Sequence, residues 1–353
     1  MIKNNGSIFK LIRMKVVSLF SGCGGLDLGF RNAGFEIIYA NDNDSAVWET
    51  YKKNHGMEID TRCIKGIVAN SLPDAEGFIG GPPCQSWSLG GKLEGFNDER
   101  GLLFLEYIRI LREKKPLFFV AENVPGIMSK RNEKEFKKIL SELKRIGYRV
   151  NPKLVDARDY GVPQVRKRVI IIGYRKDIKK KIIFPKATHV KELNELAVKK
   201  GLKKWVTLEE IIRDLPEATP AKEKNYANLS LKVANHEYLN GGFSYIYMSR
   251  NRRKTWNEQS YTIQASGRQA PLHPDSPKMK FVDKDMWVFE KSEGTPRRLS
   301  VRECARIQTF PDDFIFNYKS VNDGYRMVGN AVPIKLAEAI ANKIKTDFKN
   351  MGY

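Results

Sequence analysis

Cys84 stands in the run GGPPCQSWSLGGK (80–92), directly behind two prolines. Proline fixes its own φ and pushes the residue before it into extended conformations, so this loop is stiff and presents the thiol rather than hiding it. A thiolate held that way is a nucleophile for an electron-poor carbon. Glu122 opens the run ENV (122–124) just after the apolar stretch 117–120, and it supplies a carboxyl that can hold or move a proton. In QVRKRV (164–169) Arg166 and Arg168 alternate onto one face of an extended chain. They make a solvated face, hold a phosphate or orient the carboxylate.

These residues need a frame, and the hydrophobic pattern provides one. Short apolar runs at 16–20, 35–40, 77–80, 117–120 and 169–172 alternate with helical patterns after 25 and at 102–114 and 133–146. That alternation predicts a doubly wound, mostly parallel α/β sheet, whose ligands gather at the carboxyl ends of its strands. The first run leads into a glycine turn, FSGCGG (20–25), where backbone amides can approach a ligand closely. Such turns serve nucleotides, dinucleotides and S-adenosylmethionine alike. The second run ends at Asn41-Asp42-Asn43-Asp44, and a carboxylate there can accept two ribose hydroxyls or cap the next helix.

The alternation stops near Gly173. Between 175 and 204 eleven Lys or Arg face only Asp177, Glu192 and Glu195, and the following stretch to about 318 is irregular and rich in Asn, Pro, Gly, Tyr and Arg. Helical spacing returns at 334–348. The expected organisation is therefore a catalytic domain over 1–175, a smaller recognition domain over 176–318, and a segment 319–353 that returns to the first domain. The chain has 353 residues with 62 Lys+Arg against 41 Asp+Glu, a net charge of +21, which favours a polyanionic partner, nucleic acid before others. No apolar run approaches membrane-spanning length, and the start of the chain suits no signal peptide, so a cytoplasmic protein is expected. Cys23, Cys63, Cys84 and Cys304 lack metal-ligand spacing, so no metal is expected.

FSGCGG, GGPPCQSWS, ENV, QVRKR, RRLSVRECARIQTFPDDF (297–314) and GYRMVGNAVP (324–333) follow one another in the order found in bacterial DNA cytosine-5 methyltransferases. The chain resembles that family over nearly its whole length. NHEY (235–238), MSRNR (248–252), QASGRQ (264–269) and LHP (272–274) further resemble its HaeIII-type, GGCC-recognising branch. The resemblance implies a Rossmann-like fold, S-adenosylmethionine as methyl donor with S-adenosylhomocysteine as product, and double-stranded DNA as substrate. It implies Cys84 as the nucleophile, Glu122 as the group on cytosine N3, and Arg166 as a partner near the flipped base. It also implies a cofactor pocket from Phe20, Ser21, Gly22, Gly24, Gly25, Leu26, Asp42, Asn43, Ile67, Pro82, Asn330 and Ala331. DNA would be met by Gln85, Ser86, Arg168, Arg250, Arg252 and Arg268, the last three reading guanines.

The chemistry fits the residue types. Carbon 5 of cytosine is a weak nucleophile, so a thiolate adds at carbon 6 and makes an enamine able to take a methyl group. Within a stacked duplex that carbon is out of reach, so the base must be flipped out. Relatives commonly carry an acid for the adenine amino group in a Gly-Asp-Ile context. Here the stretch reads KGIV with Ile67, which leaves that contact open, and Asn70 is the candidate to replace it. The usual family beginning fits Met14, so residues 1–13 are read either as a disordered basic arm or as a misassigned start. A monomer is expected, with a cognate restriction endonuclease as a partner in function. An RNA-methylating branch shares the PPC and ENV runs, but its Cys-Phe-Thr signature is absent. A catalytically silent DNA-binding relative would not need Cys84 and Glu122.

Overall fold

The computed structural model describes residues 13–83, 99–291 and 294–351, with backbone alone for 99–102. Its first half alternates as follows: β1 (Lys15–Leu19), α1 (Gly25–Asn32), β2 (Glu36–Asn41), α2 (Ser45–His55), β3 (Gly77–Gly80), α3 (Glu99–Lys114), β4 (Phe118–Asn123), α4 (Glu133–Arg145), β5 (Tyr148–Asp156) and β6 (Lys167–Arg175). The strands form one sheet in the order β2-β1-β3-β4-β6-β5. β1 pairs in parallel with β2 and β3, and β3 with β4. All of β3 and β4 is buried, as expected of central strands covered on both faces.

β6 departs from the parallel expectation by running antiparallel to both β4 and β5. Its amino end therefore lies at the rim where the parallel strands have their carboxyl ends, and QVRKR reaches the site from there. The order reverses at β1 and β3, which makes the crevice between their carboxyl ends a ligand position. FSGCGG leaves β1 on one side of that crevice, and Gly81-Pro82-Pro83 leaves β3 on the other.

One apolar cluster joins α1 and a C-terminal helix to one face of the sheet, and a second packs α3 and α4 on the other. The chain from 176 to 300 has only short elements: β7 (His189–Val190), α5 (Glu195–Lys199), β8 (Lys203–Lys204), α6 (Leu208–Ile212), β9 (Thr219–Pro220), β10 (Glu237–Tyr238), α7 (Tyr245–Met248), β11 (Met279–Asp283) and β12 (Met286–Phe289). α8 (Val301–Ile307), α9 (Val321–Asn330) and α10 (Ile334–Lys349) close the molecule. α8 starts with a full capping box between Ser300 and Glu303. α10 lies against α1 so tightly that a Cβ on Gly29 would stand 2.4 Å from that of Ala337.

Candidate active site

After β1 the chain turns sharply. Phe20 has φ 55°, a left-handed conformation costly for a bulky side chain and typical of functional turns. Gly24 (φ 87°) is required on two counts, since a Cβ there would also sit 2.0 Å from His55 Nε2. Space beside Gly22 is open, with nothing within 4 Å of the place a Cβ would take. Gly22 N–H donates to Asp42 Oδ2 at 2.8 Å and Asp44 N–H to Oδ1 at 2.9 Å, so the carboxylate is fixed at the mouth of this turn. Burial pushes its pKa up, against the two backbone donors that pull it down. Each oxygen keeps a free lone pair for a ligand hydroxyl. Gly25 faces the return segment, where a Cβ would be 2.7 Å from Val332 O and 3.1 Å from Ala331 Cβ. A donor with a ribose and a charged end fits this cradle.

Other expected cofactor residues divide. Ser21 joins β1 to β2, its Oγ donating to Asn41 O at 3.2 Å, and Asn43 and Asn330 are exposed. Leu26 and Ile67 depart from expectation. Leu26 packs with Phe30 and Leu336 in the core, and Ile67, 1% exposed, packs with Ile64 and Leu72 while its carbonyl accepts from Arg109 Nη2 at 2.9 Å. An apolar side chain beside α3 gains more from the core than from a polar pocket.

The last residues of β4 stand at the rim of the crevice. Glu122, 9% exposed, accepts from Arg168 Nε at 2.8 Å. A Cβ on Gly81 would lie 3.5 Å from Glu122 Oε2, and Asn123 Nδ2 donates to Pro82 O at 3.2 Å. The root of the PPC loop is thus tied over the carboxylate. Cys84, Gln85 and Ser86 lie outside the described residues. Of the other cysteines, Cys23 is buried, with burial pushing its thiol up to about 12, and Cys304 is pushed up likewise. Neither is a nucleophile at neutral pH.

Of the two arginines of QVRKR, Arg168 and not Arg166 meets Glu122. Arg166 is fully buried and donates to Ile263 O (2.9 Å), Gly329 O (2.8 Å) and Ala331 O (2.9 Å), while Arg168 holds Glu122. Arg166 is therefore a positioning residue. Sequence reasoning also missed its neighbours. Gln164 Nε2 donates to Gln308 Oε1 at 2.6 Å, Ile263 N–H donates to Gln164 Oε1 at 3.1 Å, and Gln308 Nε2 donates to Val328 O at 2.7 Å. Both glutamines are 0% exposed, so this seam locks the start of β6 to the ends of α8 and α9. A cluster of buried amides beside QVRKR and VGNAVP had no local signature to reveal it.

In the second region Arg250 and Arg268 are exposed. Arg252 departs from expectation by turning inward: Nε donates to Tyr247 O at 2.9 Å, Nη2 to Ile246 O at 3.2 Å, and the guanidinium lies 4.7 Å over the Tyr247 ring. Those bonds fix its plane. The motif histidines are structural too. His236 bridges Ser300 Oγ and Pro216 O, and His273 lies 3.6 Å from Glu303, which also pairs with Arg297.

The sheet, with its strand order reversing between β1 and β3, has the Rossmann-like fold of S-adenosylmethionine-dependent methyltransferases. The comparisons carry this to a family. Residues 14–346 match the C-5 cytosine-specific DNA methylases, and the chain belongs to that family. It is 54% identical over 342 residues to the Type II methyltransferase M.MthTI of Methanothermobacter thermautotrophicus, covering 96% of this chain and 99% of that one. M.FnuDI of Fusobacterium nucleatum is 52% identical, covering 94% of each. Among solved structures, the Entamoeba histolytica methyltransferase EhMeth matches with TM-score 0.64 at 17% identity, covering 96% of this chain and 99% of that one, a likeness of fold. The protein is a Type II DNA cytosine-5 methyltransferase, and DNA is its substrate. Among the described residues no helix is long and apolar enough to cross a membrane.

Proposed function

We propose that this enzyme methylates carbon 5 of a cytosine flipped from a GGCC site, as a member of the HaeIII-type branch, with Cys84 as its nucleophile. The observation that carries the reading is the Glu122–Arg168 pair directly beneath the Gly81-Pro82 root of the Cys84 loop. A carboxyl held there can bind and protonate a ring nitrogen, while the thiolate from the residue after Pro83 adds to carbon 6. Arg168 keeps Glu122 in place and adds positive charge where the ring gains electrons.

S-adenosylmethionine, the donor used in this family, supplies an electrophilic methyl group when bound. Phe20, Gly22 and Asp42 form one wall of its pocket, with Pro82 across the crevice and Asn330 and Ala331 closing it. Asp42 accepts the ribose hydroxyls. Arg250 and Arg268 reach guanine edges from the second region, and Arg252 braces the segment that carries Arg250 through its bonds to Tyr247 O and Ile246 O. The division at about 175 and 318 separates catalysis from recognition. The chain acts as a monomer in the cytoplasm, and an endonuclease sharing its site fits the Type II naming of its relatives.

Duplex DNA carrying 5-fluorocytosine within GGCC tests the reading. In the presence of methyl donor the wild-type protein should form a denaturation-resistant adduct, and Cys84→Ser should not. Absence of adduct on any fluorinated duplex overturns the Cys84 assignment. Bisulfite sequencing of host DNA after expression then reads the site, and protected cytosines outside GGCC overturn the branch.

A further inference from the structure

The lysine-rich stretch after β6 has no part in the site above. From Arg175 the chain returns along β5, where Arg149 Nη2 donates to Lys180 O at 2.9 Å and Asn151 Nδ2 to Ile182 O at 3.0 Å. It reaches the catalytic rim at Thr188, whose N–H donates to Asp159 O at 2.8 Å, and there β7, α5 and β8 form a small unit. Within 188–204 Ala197 is the one buried residue, so the unit has no core of its own. It is pinned from outside. Trp205 Nε1 donates to Asp159 Oδ1 at 3.2 Å, the Arg158 guanidinium lies 3.9 Å over the Trp205 ring, and His189 fills the space over Gly161.

The unit carries unpaired cations. Lys186, Lys199, Lys200, Lys203 and Lys204 are exposed, as is Lys335 at the start of α10. Among the described residues none of the six has an ion-pair partner within 4.0 Å. Lys186 and Lys335 line one open groove with Tyr160 and Thr188. Burial lowers the pKa of His189, the charges of Lys335 and Lys203 lower it further, and Glu210 acts the other way. Glu192 and Glu195 in the unit and Glu338 in the groove leave a clear excess of cations, and like charges held together repel.

Position identifies the partner. Asp156 pairs in register with Lys167, and the next residue, Arg168, meets Glu122. β5, from whose end the unit hangs, lies two strand spacings from β4, roughly 10 Å, and the unit stands at least that far to the side. That is too far for a base flipped onto Glu122, and it matches phosphates a few base pairs along the same duplex.

We propose that the 186–204 unit, with Lys335, is a phosphate clamp that grips duplex DNA beside the recognition site without reading its sequence. The clamp rests on the reading that this enzyme binds duplex DNA at the Glu122 rim. In the full-length protein, Lys199, Lys200, Lys203 and Lys204 are changed together to Gln, and separately to Arg. Binding is followed against salt on duplexes of about 40 base pairs with and without the site, and on a site-only duplex of about 12, since each phosphate neutralised adds about 0.9 to the log–log slope. The Gln variant should lose about 2 to 4 from that slope and at least about tenfold in affinity on both long duplexes, and less on the short one. Methyl transfer at saturating DNA should be unchanged, and the Arg variant should behave as wild type.

An unchanged slope on the long duplexes overturns the clamp. So does an equal loss on the short duplex, or a loss shared by the Arg variant. If the wild-type protein transfers no methyl group to any duplex, the functional reading itself fails; if it does and the slope is unchanged, only the clamp fails.

Discussion

The sheet and the recognition region are held together by different means. In β3 and β4 every residue is buried and the backbone satisfies itself through the strand ladder, so apolar side chains do the packing. Among the described residues between 205 and 318 no strand exceeds five residues, and buried side chains take over the pairing of backbone groups. Arg298 donates to Gly241 O and Gly242 O, and Arg302 to Ala234 O, Pro311 O and Phe314 O. Loops freed from ladder geometry can take the shape of a ligand surface, and long polar side chains must then replace the missing ladder.

That contrast can be broken from either side. The largest effect is expected at the rim. Glu122→Gln keeps the shape but cannot deliver a proton, so single-turnover methyl transfer should fall by about 100- to 10,000-fold while the unfolding midpoint stays near wild type. A fall below about tenfold would remove Glu122 from the chemistry. Arg302→Met should do the opposite. It leaves three carbonyls without their donor, at about 1 kcal/mol or more each, so denaturant unfolding should show a loss of about 3 kcal/mol or more. A loss under about 1 kcal/mol would mean the loops do not depend on it.

The smallest effect sharpens the comparison within the sheet domain. Asp27 is buried and accepts from Ser18 Oγ and Tyr51 Oη, both at 2.6 Å, and burial pushes its carboxyl up to about 6. The fold thus favours the protonated form. Its contribution is complete below the unfolded value near 3.9 and is lost as pH climbs through about 6. Asp27→Asn removes this dependence. Between pH 4 and 7 wild-type stability should fall relative to the variant by about 2 to 3 kcal/mol, and parallel curves would contradict the buried-acid assignment.

How much could be read from the sequence follows the same divide. The apolar run 16–20 met β1 at Lys15–Leu19, and 77–80 met β3, because central strands are local and continuous in their apolar signal. β5 escaped, since YRVNPKLVD is a half-exposed edge strand with proline and lysine in it. The antiparallel sense of β6 escaped as well, because periodicity carries no direction. At the site, Asp42 and Glu122 stood at strand ends that the pattern had marked. Arg166 and Arg168 lie two residues apart with the same alternation, and only long-range contacts with Ile263 and Gly329 separate the buried brace from the partner of Glu122. Gln164 and Gln308, 144 residues apart in sequence, could not be paired from either stretch alone.

The reversed direction of β6 also guards the molecule against its own kind. Because β6 ends at the rim opposite the site, the chain must run back beside β5, and Arg149 and Asn151 reach carbonyls of that returning segment. The outermost strand, already interrupted by Pro152, is thereby denied to a neighbouring copy that would add a strand to it, and a concentrated solution loses one route to fibrous aggregation.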